Sequence, residues 1–398
     1  MNDPVLERFA ELVVRFAANV QPGQIVGLTT EPGKEALTRA IAESAYRAGA
    51  KFVDVWTFDL HVKRARIRFA AEDTLDYVPP WYGERILALG EHRGARITLT
   101  GPVAPGLLND LDPARAGRDQ LPFLRETSRV VNERTTNWAA VPCPSAPWAE
   151  LVHPDRDPGG ALERLWEQVL HICRLDEDDP VAAWRSRGDD LATIAERLTQ
   201  RRFAELHFEG PGTDLHVGLL PSSRWMSARF TTVDGIVHMP NLPSEEVFTT
   251  PDPQRVEGYV RATKPLVVAG TIVRGLRVRF EQGRAVSIDA AENAGLVREY
   301  ARRDDGGSRL GEVALVDGAG RIGPLETVFY DTLIDENAAS HIALGSAYEF
   351  TTGEEDRDRI NRSAIHVDFM VGATDVDVTG ITESGDRVPV LRWGAWQV

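Results

Sequence analysis

The sequence predicts an α/β domain with a parallel sheet followed by an α+β metal-binding domain, and three observations carry that expectation. Over the first half, β-rich apolar runs alternate with helix-spaced runs, the pattern of strand–helix–strand units in a parallel sheet. Near residue 204 the texture changes to short strands separated by turns. The 398 residues are also enough for two ordinary domains with a sizeable core. We expect the domains at 1–190 and 191–398.

The elements follow in order. "MNDPVLERFAELVVRFAANV" spaces its apolar residues as an amphipathic helix and lacks the basic–apolar–small order of a signal peptide. "QPGQIVGLTT" offers a turn and a strand, "KEALTRAIAESAYRAGA" a helix ending at Gly49, and "KFVDVWTFD" the next strand. The unit recurs as "ERILALGEHRG" with "ARITLTG", and as "DQLPFLRETSRVVNERT" with "NWAAVPCP". A charged helix over 179–203 leads into the second domain. There "AELHFEG", "TDLHVGLL", "PLVVAGTIV", "GLRVRFEQGRAVSIDA" and "EVALVD" read as strands, "LETVFYDTL" as β-like, and "AENAGLVREYARR" and "DENAASHIALG" as helices.

Composition removes several classes of function. No apolar run approaches the roughly 18 residues of a membrane-spanning helix. A net charge of −15 opposes binding to a phosphate backbone. Cys143 and Cys173 are the only cysteines, which excludes a disulfide scaffold and a Cys-rich zinc module and points to a reducing cytoplasm. One lies between prolines and the other on a helical stretch, so both read as structural thiols. "GAGRIG" spaces Gly318, Gly320 and Gly323 like a dinucleotide motif, but Pro324 follows where a helix should open. It reads as a turn. No P-loop, HExxH or GxSxG sequence occurs.

What remains is a set of acids and histidines at the ends of apolar runs. In "SAIHVDFMVG", His366 and Asp368 share one face of a strand. As a pair they could be no more than a carboxylate orienting a buried imidazole. "PNLPSEEVFTTP" carries Glu245 and Glu246 on opposite faces, and parity does not say which points inward. Glu312 opens the apolar "GEVALV", where an unpaired carboxylate is costly to bury. "DENAASHIALGSAY" places His341 on the expected helix with Tyr348 nearly two turns on. Each has a structural explanation by itself: a solvated strand end, a satisfied core histidine, a core tyrosine. Together they suit Zn, Mn, Co or Fe(II), and six ligands suggest two ions sharing carboxylates.

The blocks "PNLPSEEVFTTP", "GYVRATKPLVVAGTIVRGLRVRFEQGRAV", "RLGEVALV", "YDTLIDENAASHIALGSAY" and "IHVDFMVG" occur here in the order of the M29 metallo-aminopeptidases, the aminopeptidase T and S family. "QPGQIV", "RAIAESAYRAGAKFVDV" and "PSAPWAELV" extend the resemblance through the first half. It implies metal ligands at Glu246, Glu312, His341, Tyr348, His366 and Asp368, two divalent ions (Zn, Co or Mn), short peptide substrates and a homodimer. Glu312 is the candidate proton carrier, and Tyr348 a ligand or a donor to the oxyanion. Around "LLPSSRWMSARF" the chain departs from the family, so side-chain preference does not carry over. The GTDL run is retained, and its Asp214 reads as stabilising a turn. Rival readings are a hydrolase of a nonstandard amide, a noncatalytic peptide- or metal-binding protein, and a ring-cleaving dioxygenase with one iron on His341, His366 and Asp368.

Overall fold

The computed structural model describes residues 3–119, 121–122 and 125–398. Strands β1 (Ile25–Thr30), β2 (Phe52–Thr57), β3 (Ala95–Thr100) and β4 (Asn137–Pro142) form the expected parallel sheet, in the order β2-β1-β3-β4. Parallel neighbours need crossovers, and helices Glu35–Arg47, Pro80–Glu91 and Arg125–Asn132 lie in the three connections. Part of the third predicted helix falls on Gln120, Phe123 and Leu124, outside the described residues. Gly49, at φ +91°, turns the chain out of Glu35–Arg47, a conformation a Cβ would disfavour. The amphipathic N-terminal run forms helix Asp3–Leu12, which buries Phe9 and packs on Glu35–Arg47.

Helix Pro180–Arg201, capped by Asp179 through the amide of Ala182, leads into antiparallel structure. An eight-stranded sheet includes Glu205–Gly210, Thr213–Leu219 and Pro251–Arg261. "PLVVAGTIV" and "GLRVRFEQGRAVSIDA" each fold into a hairpin, with Ala269–Gly270 and Gln282–Gly283 at the tips. All four tip residues have positive φ, as the tight turn matching strand twist requires. Helix Ala294–Ala301 is where the periodicity puts it. Among the described residues no helix is long and apolar enough to cross a membrane.

Two expectations fail. "LETVFYDTL" contains no strand; a short 3₁₀ turn, Gly323–Leu325, leads into irregular chain. Glu326 and Tyr330 have φ of +51° and +55° there, which no regular strand accommodates. "DENAASHIALG" is helical only up to Glu336, at the end of Thr332–Glu336. His341 instead opens the buried strand His341–Gly345. Short apolar runs do not separate strand from buried helix by period, and this one is paired on both edges.

Candidate metal centre

The site is built on a four-stranded antiparallel sheet with His366–Met370, His341–Gly345, Leu310–Val316 and Glu246–Thr249 side by side. Register decides which side chains meet. Ala343 lies opposite Glu312 on one neighbour and Asp368 on the other, while Ala314 lies opposite both His341 and Phe248. Val316 pairs with Glu246, and Gly345 with His366. Directly paired residues share a face, so Glu246, Glu312, His341, His366 and Asp368 project to one side. The small Ala343 side chain between Glu312 and Asp368 leaves room above it. Gly345 has φ +107°, and a Cβ there would sit 2.1 Å from the Ile365 carbonyl oxygen; it lets the two histidine strands approach at the site's edge.

Parity left Glu245 and Glu246 undecided, and their partners separate them. The fully buried Glu245 carboxylate receives Arg174 at 2.8 Å and Arg187 at 2.5 Å, and Arg187 also reaches Asp317 at 2.7 Å. Removing one partner of such a buried network strands the others' charge. Glu245→Ala is therefore expected to cost about 3–5 kcal/mol of stability, measured by denaturant unfolding, while the folded fraction keeps its metal. Loss of metal with unchanged stability would contradict this division of labour.

The ligand atoms converge in three overlapping groups, Glu246–Glu312–His341, Glu312–His366–Asp368 and Glu336–His341–Asp368, within each of which the atoms lie inside 4.8 Å of one another. Glu312 belongs to two groups, as a shared carboxylate would. Glu336 is the functional candidate that the sequence reading missed. It stands in the quoted DENA run, but as the last residue of a five-residue helix it carries no strand or helix periodicity. None of these groups contains both histidines, which weakens the single-iron reading.

Both imidazoles are oriented by the backbone. His341 Nδ1 lies 2.9 Å from the Glu336 carbonyl oxygen, and His366 Nδ1 lies 2.8 Å from that of Ser346. A carbonyl only accepts, so each Nδ1 carries its proton and each Nε2 is left facing carboxylates. His341 Nε2 stands 3.1 Å from Glu246, and His366 Nε2 stands 3.3 Å from Glu312 and 3.2 Å from Asp368. The buried Oε2 of Glu246 has no hydrogen-bond partner among the described residues. Electron pairs facing one another at this range require a proton or a cation between them, so the donor set fits a metal.

Without metal, protons fill that need. Burial opposes charge on His341, but Glu246, then Glu336 and Glu312, lift it to about 10. His366 rises well above its usual value because Asp368 and Glu312 outweigh burial. Burial raises Glu312, and burial with the neighbouring Asp368 charge raises Glu336 much further. Asp368 alone is lowered; His366 overcomes the burial cost. Tyr348 follows the His341 strand in an irregular segment, its ring 5.8 Å from that of His366. Burial and four surrounding carboxylates keep its phenol neutral, and its hydroxyl makes no hydrogen bond among the described residues.

A cavity of about 150 Å³ opens above the acids, walled by Trp138, Ser227, Phe230 and Phe248 among others. Ser227 and Phe230 come from "LLPSSRWMSARF", the stretch where family resemblance lapses. That segment is held by Met226, whose N–H and C=O pair with Phe248 at 2.9 and 3.0 Å. Trp138 belongs to β4, which is tied to the site through Ala140, bonded to Pro240 at 2.7 Å and Leu242 at 3.0 Å. The remaining sequence candidates lie elsewhere. Burial raises both thiols, Cys143 to about 12, so neither offers a thiolate. "GAGRIG" forms a turn. Asp214 is not in a turn; it lies on Thr213–Leu219 and holds His207 at 2.8 Å.

The family model of the thermophilic metalloproteases (M29) matches residues 2–396. Aminopeptidase T of Thermus thermophilus is 41% identical, with 99% of this chain and 98% of that protein aligned. Aminopeptidase AmpS of Bacillus subtilis is 34% identical over 98% of both chains. The solved structure of wild-type AmpT from Thermus thermophilus superposes with a TM-score of 0.87 at 40% identity, covering 99% of each chain.

Proposed function

Since the chain belongs to the M29 family of metallo-aminopeptidases, we propose that it removes N-terminal residues from short peptides by a two-metal hydrolysis. The observation that carries this reading is one of charge. Glu246, Glu312, Glu336 and Asp368 meet on the Nε2 edges of two imidazoles, which as metal ligands would be neutral, and among the described residues neither Lys nor Arg lines the cavity. Four carboxylates balance two divalent cations, whereas one cation would leave two negative charges to be met by protons. We assign Glu246, Glu312 and His341 to one ion and Glu312, His366 and Asp368 to the other, with Glu336 completing the first. Oxygen and imidazole donors without cysteine suit Zn, Co or Mn.

Bound there, the ions would acidify a water, polarise the scissile carbonyl and hold the free α-amine. Glu312 takes the proton lost by that water as its oxygen attacks the carbonyl carbon. The same carboxylate gives the proton to the departing amine as the C–N bond breaks. Tyr348 serves as a ligand to one ion or as a donor to the tetrahedral oxyanion. The small cavity favours one side chain at a time, and we carry over the family's homodimer and a cytoplasmic location as part of this reading.

The test is metal content of the purified protein together with hydrolysis of an aminoacyl amide and peptide panel after addition of Zn, Co or Mn. Two ions per chain with release of N-terminal residues is the expected result. One iron per chain, no hydrolysis, and oxygen uptake on hydroxylated aromatic rings would overturn it.

A further inference from the structure

Next to the metal centre lies a cationic site that the hydrolytic chemistry does not use. Arg96 is the second residue of β3, with Trp138 beside it on β4 and Gly27 on β1. Its side chain lines a cavity of about 230 Å³ whose wall includes Trp138, Tyr348 and His366, three residues that also line the metal-centre cavity. On its other side it lines a larger, aromatic cavity of about 520 Å³ that includes Trp56 and Trp81. Arg96 thus stands at the junction of a path leading away from the metals across the N-terminal sheet.

The guanidinium has no partner among the described residues: Arg96 makes no side-chain hydrogen bond, ion pair or ring contact, and no Asp or Glu lines either cavity. Arg85, on the wall of the larger cavity, makes a contrast: it is neutralised by Asp54 and lies over the Trp56 ring at 4.3 Å. Burial alone acts on Arg96, lowering it to about 10, so it stays charged at neutral pH. The residue is only half-buried and opens on both cavities, so its charge is accessible to an anion entering either one. The hydroxyls of Thr98 and Thr127, on the walls of both cavities, are likewise unbonded among the described residues and are placed to add hydrogen bonds to an anion.

We propose that Arg96 receives a carboxylate of the peptide substrate, held downstream of the scissile bond in the cavity adjoining the metal centre. This rests on the aminopeptidase reading above. A guanidinium fork matches a carboxylate through two parallel N–H···O bonds. Trp138, Tyr348 and His366 are common to the two cavities, so a short peptide with its amine at the metals can extend its C-terminal carboxylate toward Arg96, and an acidic side chain near the N-terminus would present the same chemistry.

The experiment pairs binding with turnover on the metal-loaded protein. For binding, emission of the tryptophans lining the path is titrated with N-acetyl-Gly-Gly as free acid and as amide. For turnover, X-Gly-Gly is compared with its amide, and X-Gly-Glu amide with X-Gly-Gln amide, X being the N-terminal residue cleaved best. The acid should bind about tenfold or more tighter than the amide, the scale of a charge-assisted pair. The preference should appear in KM and vanish in Arg96→Gln. Arg96→Lys, which keeps charge but loses the fork, should fall between and guards against a folding defect in the first variant. Preference for the X-Gly-Gly acid assigns the terminal carboxylate; preference for the Glu amide over the Gln amide assigns the side chain. Equal binding of acid and amide, or a preference surviving Arg96→Gln, overturns the proposal. Acid-selective binding without N-terminal release would instead refute the peptidase reading and leave Arg96 as an anion site.

Discussion

Glu312→Gln is expected to lower kcat/KM by at least about a thousandfold and to reduce bound metal from two ions per chain to one or none. The size follows from the position. Glu312 is common to two groups of ligand atoms, so the change removes a bridging negative charge and the proton carrier together. Each effect is worth orders of magnitude: several kcal/mol for ion-assisted stabilisation and about 10²–10⁴ for proton transfer. Gln keeps the shape and relieves like-charge repulsion, so the unfolding midpoint of the metal-free variant should equal or exceed that of the metal-free parent. Elemental analysis and steady-state kinetics read the two parts separately. Full activity with two ions retained would remove Glu312 from the centre altogether.

How much of this centre could be read from the chain depended on what neighbours each residue. His366 and Asp368 declare a shared face because a strand repeats every second residue and the residues between are apolar. Glu245 and Glu246 cannot be separated that way, since adjacent residues always diverge. Only the pairing of Val316 with Glu246 and the capture of Glu245 by Arg174 and Arg187 distinguish them. "ENAASHIAL" is rich in good helix formers and so predicts a helix through His341, while its strand form depends on partners far away in sequence. Glu336 gave no periodic signal. Arg96 sat in "ARITLT", where alternation reads a charged residue as facing water; the neighbouring cavities, visible only in three dimensions, change its meaning. The βαβ half was legible because each crossover there is local.

Removing the metals should invert the pH dependence of stability. In the metal-free protein, His341, raised to about 10, and His366, raised well above its usual value, bind protons more tightly folded than unfolded. Their stabilisation is complete below the unfolded value near 6.5 and is lost as pH rises through the folded values. Glu312 and Glu336 are raised too, by burial and neighbouring acids. For them also the folded state holds the proton more tightly, so stability falls as pH climbs above about 4.3. Asp368 runs the other way, but its pKa is lowered, so its contribution is lost only in acid. Between pH 6 and 9 the metal-free melting temperature should therefore fall. Metal ions replace these protons, and they bind the folded ligands better as pH rises. The gap in melting temperature between metal-loaded and chelator-treated protein should accordingly widen from pH 6 to pH 9, and loading at neutral pH should release protons, seen as a buffer-dependent enthalpy in calorimetry. A metal-free melting temperature that rises across this range, or metal uptake without proton release, would mean that the carboxylates and imidazoles are not held against one another as the register of the sheet requires.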